Sequence, residues 1–208
     1  MAHIEGLTIR RYRALLDVTL GMTFEHQQNT PLPRMVAIIG PNGSGKSTLM
    51  DALGFLSDCM QHGVDEACDA PHRGGFQRLR TRGESEPIEF EVYYRQEPNS
   101  RPISYSLSIN LDPQGRPCVV KERLRQRRKG ESKGKPFSFL DLKDGSGLAW
   151  AGDASSDKEV AERKEIKLED NQKLGIVTLG NLAEHPRIVA FREFLERWYL
   201  SYFLPELA

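Results

Sequence analysis

One short motif constrains the fold of this chain more than any other feature: Gly40-Pro41-Asn42-Gly43-Ser44-Gly45-Lys46-Ser47. It matches the pattern G-x-x-x-x-G-K-[ST] at every fixed position. The apolar, partly β-branched run at 35–39 predicts a preceding strand buried on both faces. Leucines at helical spacing predict a helix over 46–60. Strand, glycine-rich loop and helix in this order are typical of phosphate-binding P-loops.

The residue types of this loop predict a specific chemistry. Its glycines let successive backbone N–H groups face inward at the positive end of a helix dipole. Lys46 adds a mobile cation for the β- and γ-phosphates, and the Ser47 hydroxyl is a ligand for magnesium. We therefore predict ATP and Mg²⁺ as ligands, whereas the alternative is a purely structural glycine-rich turn. The predicted phosphate-binding residues are Gly40, Pro41, Asn42, Gly43, Ser44, Gly45, Lys46, Ser47 and Thr48.

Composition limits the other function classes. The 208 residues carry 29 basic and 29 acidic side chains, so no global field draws the chain onto nucleic acid. Three cysteines argue against a disulfide framework and fit a reducing compartment. No secretory signal and no apolar run of about 20 residues is present, so we expect a cytoplasmic protein without a membrane partner.

Hydrophobic periodicity predicts a largely β chain around the P-loop. Strict alternation over 88–94 and 103–111, followed by a turn into a third strand and by a fourth candidate strand, predicts an antiparallel meander with one polar face. Residues 152–173 are polar and predict a surface helix or loop, and Pro186 begins a helix with an apolar stripe from Phe191 to Trp198. That stripe predicts that the helix packs either in the core or at an interface between lobes. The predicted strands are 3–10, 14–20, 88–94, 103–111, 117–127 and 137–142.

The string GPNGSGKSTLMDAL, preceded by RRYRALLDVTL, resembles the N-terminal lobe of ABC-type ATPases of the SMC/RecF-like group. More narrowly, it resembles bacterial AAA-family ATPases found among DNA-repair and phage-defence proteins. The resemblance is specific over 7–55 and extends more weakly to 73–76 and 191–199. It implies an α/β fold, with a mixed sheet around the P-loop helix and an antiparallel β sub-domain. The corresponding units are a P-loop core at 1–60, the sub-domain at 87–150, and a C-terminal helix and strand at 185–208.

The same resemblance implies two further site residues. Arg13 matches a basic residue that reaches toward the nucleotide, although a solvated basic turn is an equal alternative. Gln77 matches a loop glutamine that contacts magnesium. The nearest string to the family's acidic strand end, 137–141, continues with Leu142 where glutamate is expected, so we assign no catalytic residue. The serine-glycine signature loop of ABC proteins has no match either.

We therefore expect one ATPase lobe that is incomplete without a second lobe, supplied in cis or in trans. The resemblance implies ATP held between two copies in a homodimer that acts on DNA or on an effector nuclease. The alternative is an ATP-sensing module that regulates a partner without hydrolysis. If the natural reading frame continues past Ala208 with an apolar strand that ends in Asp-Glu, that would favour the ATPase over the sensing module.

Three weaker patterns have competing interpretations. A short Cys/His cluster has zinc-ligand residue types, but its spacing matches no zinc module, so we expect no zinc. Alternating basic residues along 117–127 predict either a nucleic-acid surface or an exposed edge strand. A second arginine cluster around 73–82 has three alternatives: contact with nucleotide, contact with a partner, or exposure to solvent alone. The Cys/His cluster consists of Cys59, His62, Cys68 and His72. The basic residues on the strand are Lys121, Arg123, Arg125 and Arg127, extended by Arg128, Lys129, Lys133 and Lys135. The second arginine cluster consists of Arg73, Arg78, Arg80 and Arg82.

Overall fold

A computed structural model of this chain describes residues 2–97, 99–126, 136–150, 163–179 and 186–196. Within these ranges one sheet has the strand order β2-β1-β3-β4-β5-β6-β7-β8, and every neighbouring pair is antiparallel. The strands are β1 (His3–Tyr12), β2 (Leu15–Gly21), β3 (Ile88–Arg95), β4 (Ile103–Leu111), β5 (Pro117–Gln126), β6 (Phe137–Lys143), β7 (Ser146–Trp150) and β8 (Arg163–Lys167). The helices are α1 (Lys46–His62), α2 (Val64–Asp69), α3 (Phe76–Leu79), α4 (Gly175–Leu179) and α5 (Pro186–Glu196).

The predictions from hydrophobic periodicity are confirmed for most elements. All six predicted strands are present as β1 to β6, and the predicted meander continues without interruption from β3 to β6. The helix after the P-loop is present as α1, and α5 begins at Pro186 as predicted. Period-two and period-3.6 patterns over seven or more residues were therefore sufficient to identify these elements.

The prediction of a buried strand over 35–39 is wrong. These residues form no strand, and Met35 and Ile39 are 88% and 92% exposed. An apolar run becomes a buried strand only when neighbouring strands accept its backbone hydrogen bonds and cover both faces. None of the strands in the described part of the chain pairs with 35–39.

The sheet also differs from the predicted mixed arrangement. No parallel pair occurs among the described strands, and the β1–β2 hairpin continues directly into the meander through the pairing of β1 with β3. The segment 152–173, predicted as a surface helix or loop, contains β8, and neither β7 nor β8 is among the predicted strands. β8 has a single apolar residue, Ile166, so its strand conformation depends on pairing with β7.

Helices cover one face of the sheet. Tyr12, Phe55 and Phe90 form an aromatic triangle between β1, α1 and β3, with ring centroids 5.6–5.8 Å apart. Phe191 of α5 packs on Tyr94 and Tyr105 at 5.3 and 5.1 Å, which confirms the core role of the α5 stripe. Trp198 lies outside the described residues. Such aromatic pairs add to the free energy gained from apolar burial and fix α1 on the strand that ends at the basic turn.

No helix in the ranges above combines the length and apolar character needed to cross a bilayer.

Candidate nucleotide-binding site

The P-loop is an exposed turn that leads directly into the longest helix. Gly43 and Gly45 have φ angles of 81° and 91°, a region that disfavours residues with a Cβ. The Ser44 N–H donates to the Pro41 carbonyl at 3.3 Å, which closes the turn. Gly45 is the N-cap of α1, and its carbonyl accepts the first helical bond from Leu49 at 2.9 Å. The glycines at these positions therefore let the chain turn tightly into the helix.

Lys46 closes over the loop that precedes it. Its Nζ donates to the carbonyl oxygens of Gly40 and Pro41 at 2.7 and 2.6 Å. The first turn of α1 contains no acidic side chain, so nothing in that turn opposes an anion at the positive helix end. Ser47 lies in the same turn and is exposed. The loop, the cation and the hydroxyl therefore fit the phosphates and metal of a nucleotide.

A buried carboxylate, Asp51, lies one turn after Ser47 on α1. Only 3% of it is exposed, and it accepts hydrogen bonds from the Tyr12 hydroxyl at 2.8 Å and from Arg73 Nε at 3.1 Å. Burial, followed by the charge of Asp51, raises the pKa of Tyr12 well above its ordinary value, so Tyr12 remains a donor. Asp51 thus connects the P-loop helix to β1 and to the segment after α2.

Arg13 also approaches Asp51. Its Nη1 lies 3.3 Å from Asp51 Oδ2, and its Nη2 donates to the His72 carbonyl at 3.0 Å. The backbone φ of Arg13 is 50°, and its N–H donates to the Leu79 carbonyl at 2.6 Å. The side chain is therefore held against the P-loop helix and is only 28% exposed. Its contact with a nucleotide stays a prediction.

Arg73 has a structural role in this network. Its side chain is 2% exposed, and its Nη1 donates to Asp58 at 2.6 Å and to the Ala67 carbonyl at 2.9 Å. Burial alone would lower its pKa, but the hydrogen bond that Arg73 donates to Asp58 and the nearby charges raise it. The guanidinium also lies 5.3 Å from the Phe55 ring centroid. Arg73 therefore joins the segment after α2 to α1 as a permanent cation.

Gln77 and the residues of the Cys/His cluster occupy separate places. Gln77 is exposed on α3, where its Oε1 accepts from Arg80 Nη2 at 3.3 Å, and its contact with magnesium stays a prediction. Cys59 and Cys68 are buried thiols, and burial raises the pKa of Cys68 to about 12. His72 Nε2 lies 3.3 Å from Asp51. Among the residues that the structure describes, no three metal-ligating side chains come together.

The basic stripe on β5 is partly neutralised by carboxylates on neighbouring strands. Arg123 Nη2 lies 2.8 Å from Asp141, and Arg125 Nη2 lies 3.4 Å from Glu91. Arg127 and residues 128–135 lie outside the described residues. The prediction of an exposed edge strand is wrong, because β5 pairs with β4 on one side and with β6 on the other. The nucleic-acid interpretation of the stripe stays a prediction. Asp141 is the ion-pair partner of Arg123 on β6, and three strands, β3, β4 and β5, lie between β6 and β1.

Asp51 is not among the predicted site residues, although the sequence contains a pattern that indicates its burial. Asp51 follows Ser47 by four residues, so both lie on one side of α1. A carboxylate within an otherwise apolar helical stripe, 48-TLMDALGFL-56, indicates a buried and paired acid. The partners Tyr12 and Arg73 are distant in sequence, so only the fold identifies them.

Comparison with known protein families gives one match. Residues 35–194, more than half of the chain, match a family model described as "AAA domain, putative AbiEii toxin, Type IV TA system". No curated protein and no solved structure shows significant similarity to the chain.

Proposed function

The chain belongs to this family of AAA domains, and on that premise we propose that it is the ATP-binding part of an SMC/RecF-like ATPase. Membership makes it a P-loop ATPase-family domain of the α/β class. The finer proposal is that ATP binding and hydrolysis drive work on DNA or on an effector nuclease. DNA repair and phage defence are the processes proposed for that work.

The observation that carries this proposal is the phosphate cradle. Gly43 and Gly45 provide the positive φ angles, and the amine of Lys46 lies across the mouth of the loop. A phosphate would replace the carbonyl oxygens of Gly40 and Pro41 as the partner of Lys46. Mg²⁺, when bound at Ser47, would neutralise charge on the phosphate oxygens.

Exposed apolar residues beside the loop support the proposal of a second lobe. Val36 and Ile38 are 48% and 41% exposed and lie between Met35 and Ile39, which are almost fully exposed. Such a contiguous apolar segment is typical of an interface rather than of ordinary surface. We propose that a second ATPase lobe, in cis or in trans, covers residues 35–39 and that ATP promotes a homodimer.

The test combines binding and turnover. Lys46→Ala is expected to abolish ATP binding measured by calorimetry, while circular dichroism stays unchanged. Lys143→Ala, which removes an exposed lysine at the end of β6, is the matched control. Unchanged ATP affinity in a folded Lys46→Ala variant would contradict the phosphate assignment.

A second candidate function is ATP sensing without hydrolysis. Asp51, the carboxylate one turn beyond Ser47, is already engaged by Tyr12, Arg73, Arg13 and His72. It therefore has little capacity left to bind a metal or to orient water. We expect residues 1–208 alone to bind ATP and release phosphate very slowly. Turnover that appears with a second lobe and rises with protein concentration supports the ATPase, whereas binding without turnover in the complete assembly supports the sensor.

A further inference from the structure

A cavity of about 470 Å³ lies beside the P-loop network and has a strongly basic lining. It lies between the β1–β2 turn and the segment that follows α3. Four arginines and one acidic residue contribute to its wall. The lining residues are Arg13, Gln77, Arg78, Arg80, Thr81, Arg82, Gly83 and Glu84.

Backbone hydrogen bonds fix the arginine-bearing segment in place. The Thr81 N–H donates to the Arg11 carbonyl at 3.0 Å, and the Arg13 N–H donates to the Leu79 carbonyl at 2.6 Å. A further bond from the Glu84 N–H to the Thr81 carbonyl, at 3.1 Å, closes the turn around Gly83. The segment 79–84 is therefore tied to the β1–β2 turn, and its arginine backbone positions are set before any ligand arrives.

Three of the four arginines of this cavity have no charged partner among the described residues, whereas Arg13 pairs with Asp51. Arg80 donates to the Ser85 carbonyl at 3.0 Å and to Asn110 and Gln77 side-chain oxygens at 3.3 Å, all of which are uncharged. Arg78 and Arg82 are exposed, and no acceptor within the described ranges engages either guanidinium. Uncharged acceptors orient Arg80 without cancelling its positive field.

The cavity has the size of a ligand site, and the hydroxyl of one lining residue, Thr81, is buried. Thr81 Oγ1 is inaccessible to solvent and has no hydrogen-bond partner within the described ranges. Cavities of about 300–1,000 Å³ accommodate ligands.

We propose that this arginine cavity is a second phosphate-binding site, separate from the P-loop, and that its ligand is the phosphodiester backbone of a nucleic-acid strand. Guanidinium groups match phosphate oxygens with paired hydrogen bonds, and several arginines on one fixed segment suit a chain of successive phosphates. Glu84, the single acid of the lining, leaves the cavity with a net positive charge. The site is distinct from the partly neutralised stripe on β5.

Arg13 links this cavity to the nucleotide site. Its side chain lines the cavity and also contacts Asp51 on the P-loop helix. A phosphate that engages Arg13 would compete with Asp51 for the guanidinium. Because Arg13 and Gln77 are also the predicted nucleotide and magnesium contacts, the nucleic-acid site rests on Arg78, Arg80 and Arg82 and would lie next to a bound nucleotide.

The test is fluorescence anisotropy with a labelled single-stranded 20-mer DNA and the double variant Arg78→Gln/Arg82→Gln. The matched control is Arg116→Gln/Lys143→Gln, which removes the same charge from exposed positions on the β4–β5 turn and β6. We expect the cavity variant to weaken DNA binding roughly tenfold or more at low salt. The slope of log affinity against log salt should fall by about 1.4, or about 0.7 for each lost phosphate contact.

Two further arms identify the ligand and separate this proposal from the ATPase. Inorganic triphosphate displaces the DNA from the wild type if small phosphates share the site. Loss of triphosphate binding without any DNA binding would overturn the nucleic-acid assignment. Lys46→Ala should leave DNA binding intact, whereas the cavity variant should keep ATP binding and a native circular dichroism spectrum. Equal DNA affinity and salt slope in the wild type and the cavity variant would overturn the proposal.

Discussion

Glu122 provides a pH-dependent link between the sheet and α4. This residue of β5 is fully buried and accepts hydrogen bonds from the Gly175 N–H at 2.5 Å, the Ile176 N–H at 3.1 Å and the Tyr105 hydroxyl at 3.0 Å. Burial raises the pKa of Glu122 from 4.5 to about 7, and the three donors oppose that rise. The carboxylate is therefore a costly buried charge at neutral pH.

The sign of the effect follows from proton binding. Because the folded-state pKa is above the unfolded value, the native state binds more protons between pH 4.5 and about 7. The stability contributed by protonated Glu122 is complete below pH 4.5 and is lost as pH rises through about 7. That interval, at about 1.4 kcal/mol per pH unit, corresponds to about 3 kcal/mol of unfolding free energy.

Glu122→Gln is the variant that isolates this contribution. Glutamine mimics the protonated carboxyl, including the loss of one acceptor oxygen, but cannot ionise. Urea unfolding of both proteins from pH 4.5 to 8 should show the wild type losing about 3 kcal/mol relative to the variant as pH rises. Other titrating groups cancel in this difference. A difference that stays constant across the range would refute the raised pKa of Glu122 and the reasoning from burial.

Three further predictions concern the P-loop network. If Arg13 reaches the γ-phosphate, Arg13→Ala should weaken the binding of ATP more than that of ADP, by about 1–3 kcal/mol in calorimetry. Equal effects on the binding of both nucleotides would leave Arg13 with only its contacts to Asp51 and His72. Asp51→Asn should lower the unfolding free energy by about 3 kcal/mol or more, because Arg73 stays buried without its carboxylate partner. Asp58 is partly exposed, so Asp58→Asn should lower the unfolding free energy less. Equal losses for the two variants in urea unfolding would contradict Asp51 as the centre of the network. Purified protein should contain no stoichiometric zinc, and one zinc per chain that disappears in Cys59→Ser would overturn that expectation.

Local chemistry made the P-loop and most strands predictable. The loop is recognisable because its residues have functions that depend only on local geometry. Gly43 and Gly45 adopt positive φ angles, and a cation and a hydroxyl stand at the start of α1. The alternation along β3, β4 and β5 records which side chains face the helices, and that pattern is set by neighbouring residues alone. In the structure, Glu122 lies on the same face of β5 as Leu124, opposite the basic stripe.

Tertiary structure decided the properties that depend on distant partners. The apolar run at 35–39 reads as a buried strand, yet burial requires neighbouring strands, and those described here do not pair with it. The family resemblance distinguished Arg13 from the other arginines as a candidate, but sequence pattern alone gave no structural basis for separating Arg73, Arg78 and Arg82. The fold buries Arg73 between Asp51 and Asp58, and it leaves Arg78 and Arg82 on the wall of a basic cavity. Charge on a side chain is a local property, whereas its neutralisation depends on residues that only the folded chain brings within a few ångströms.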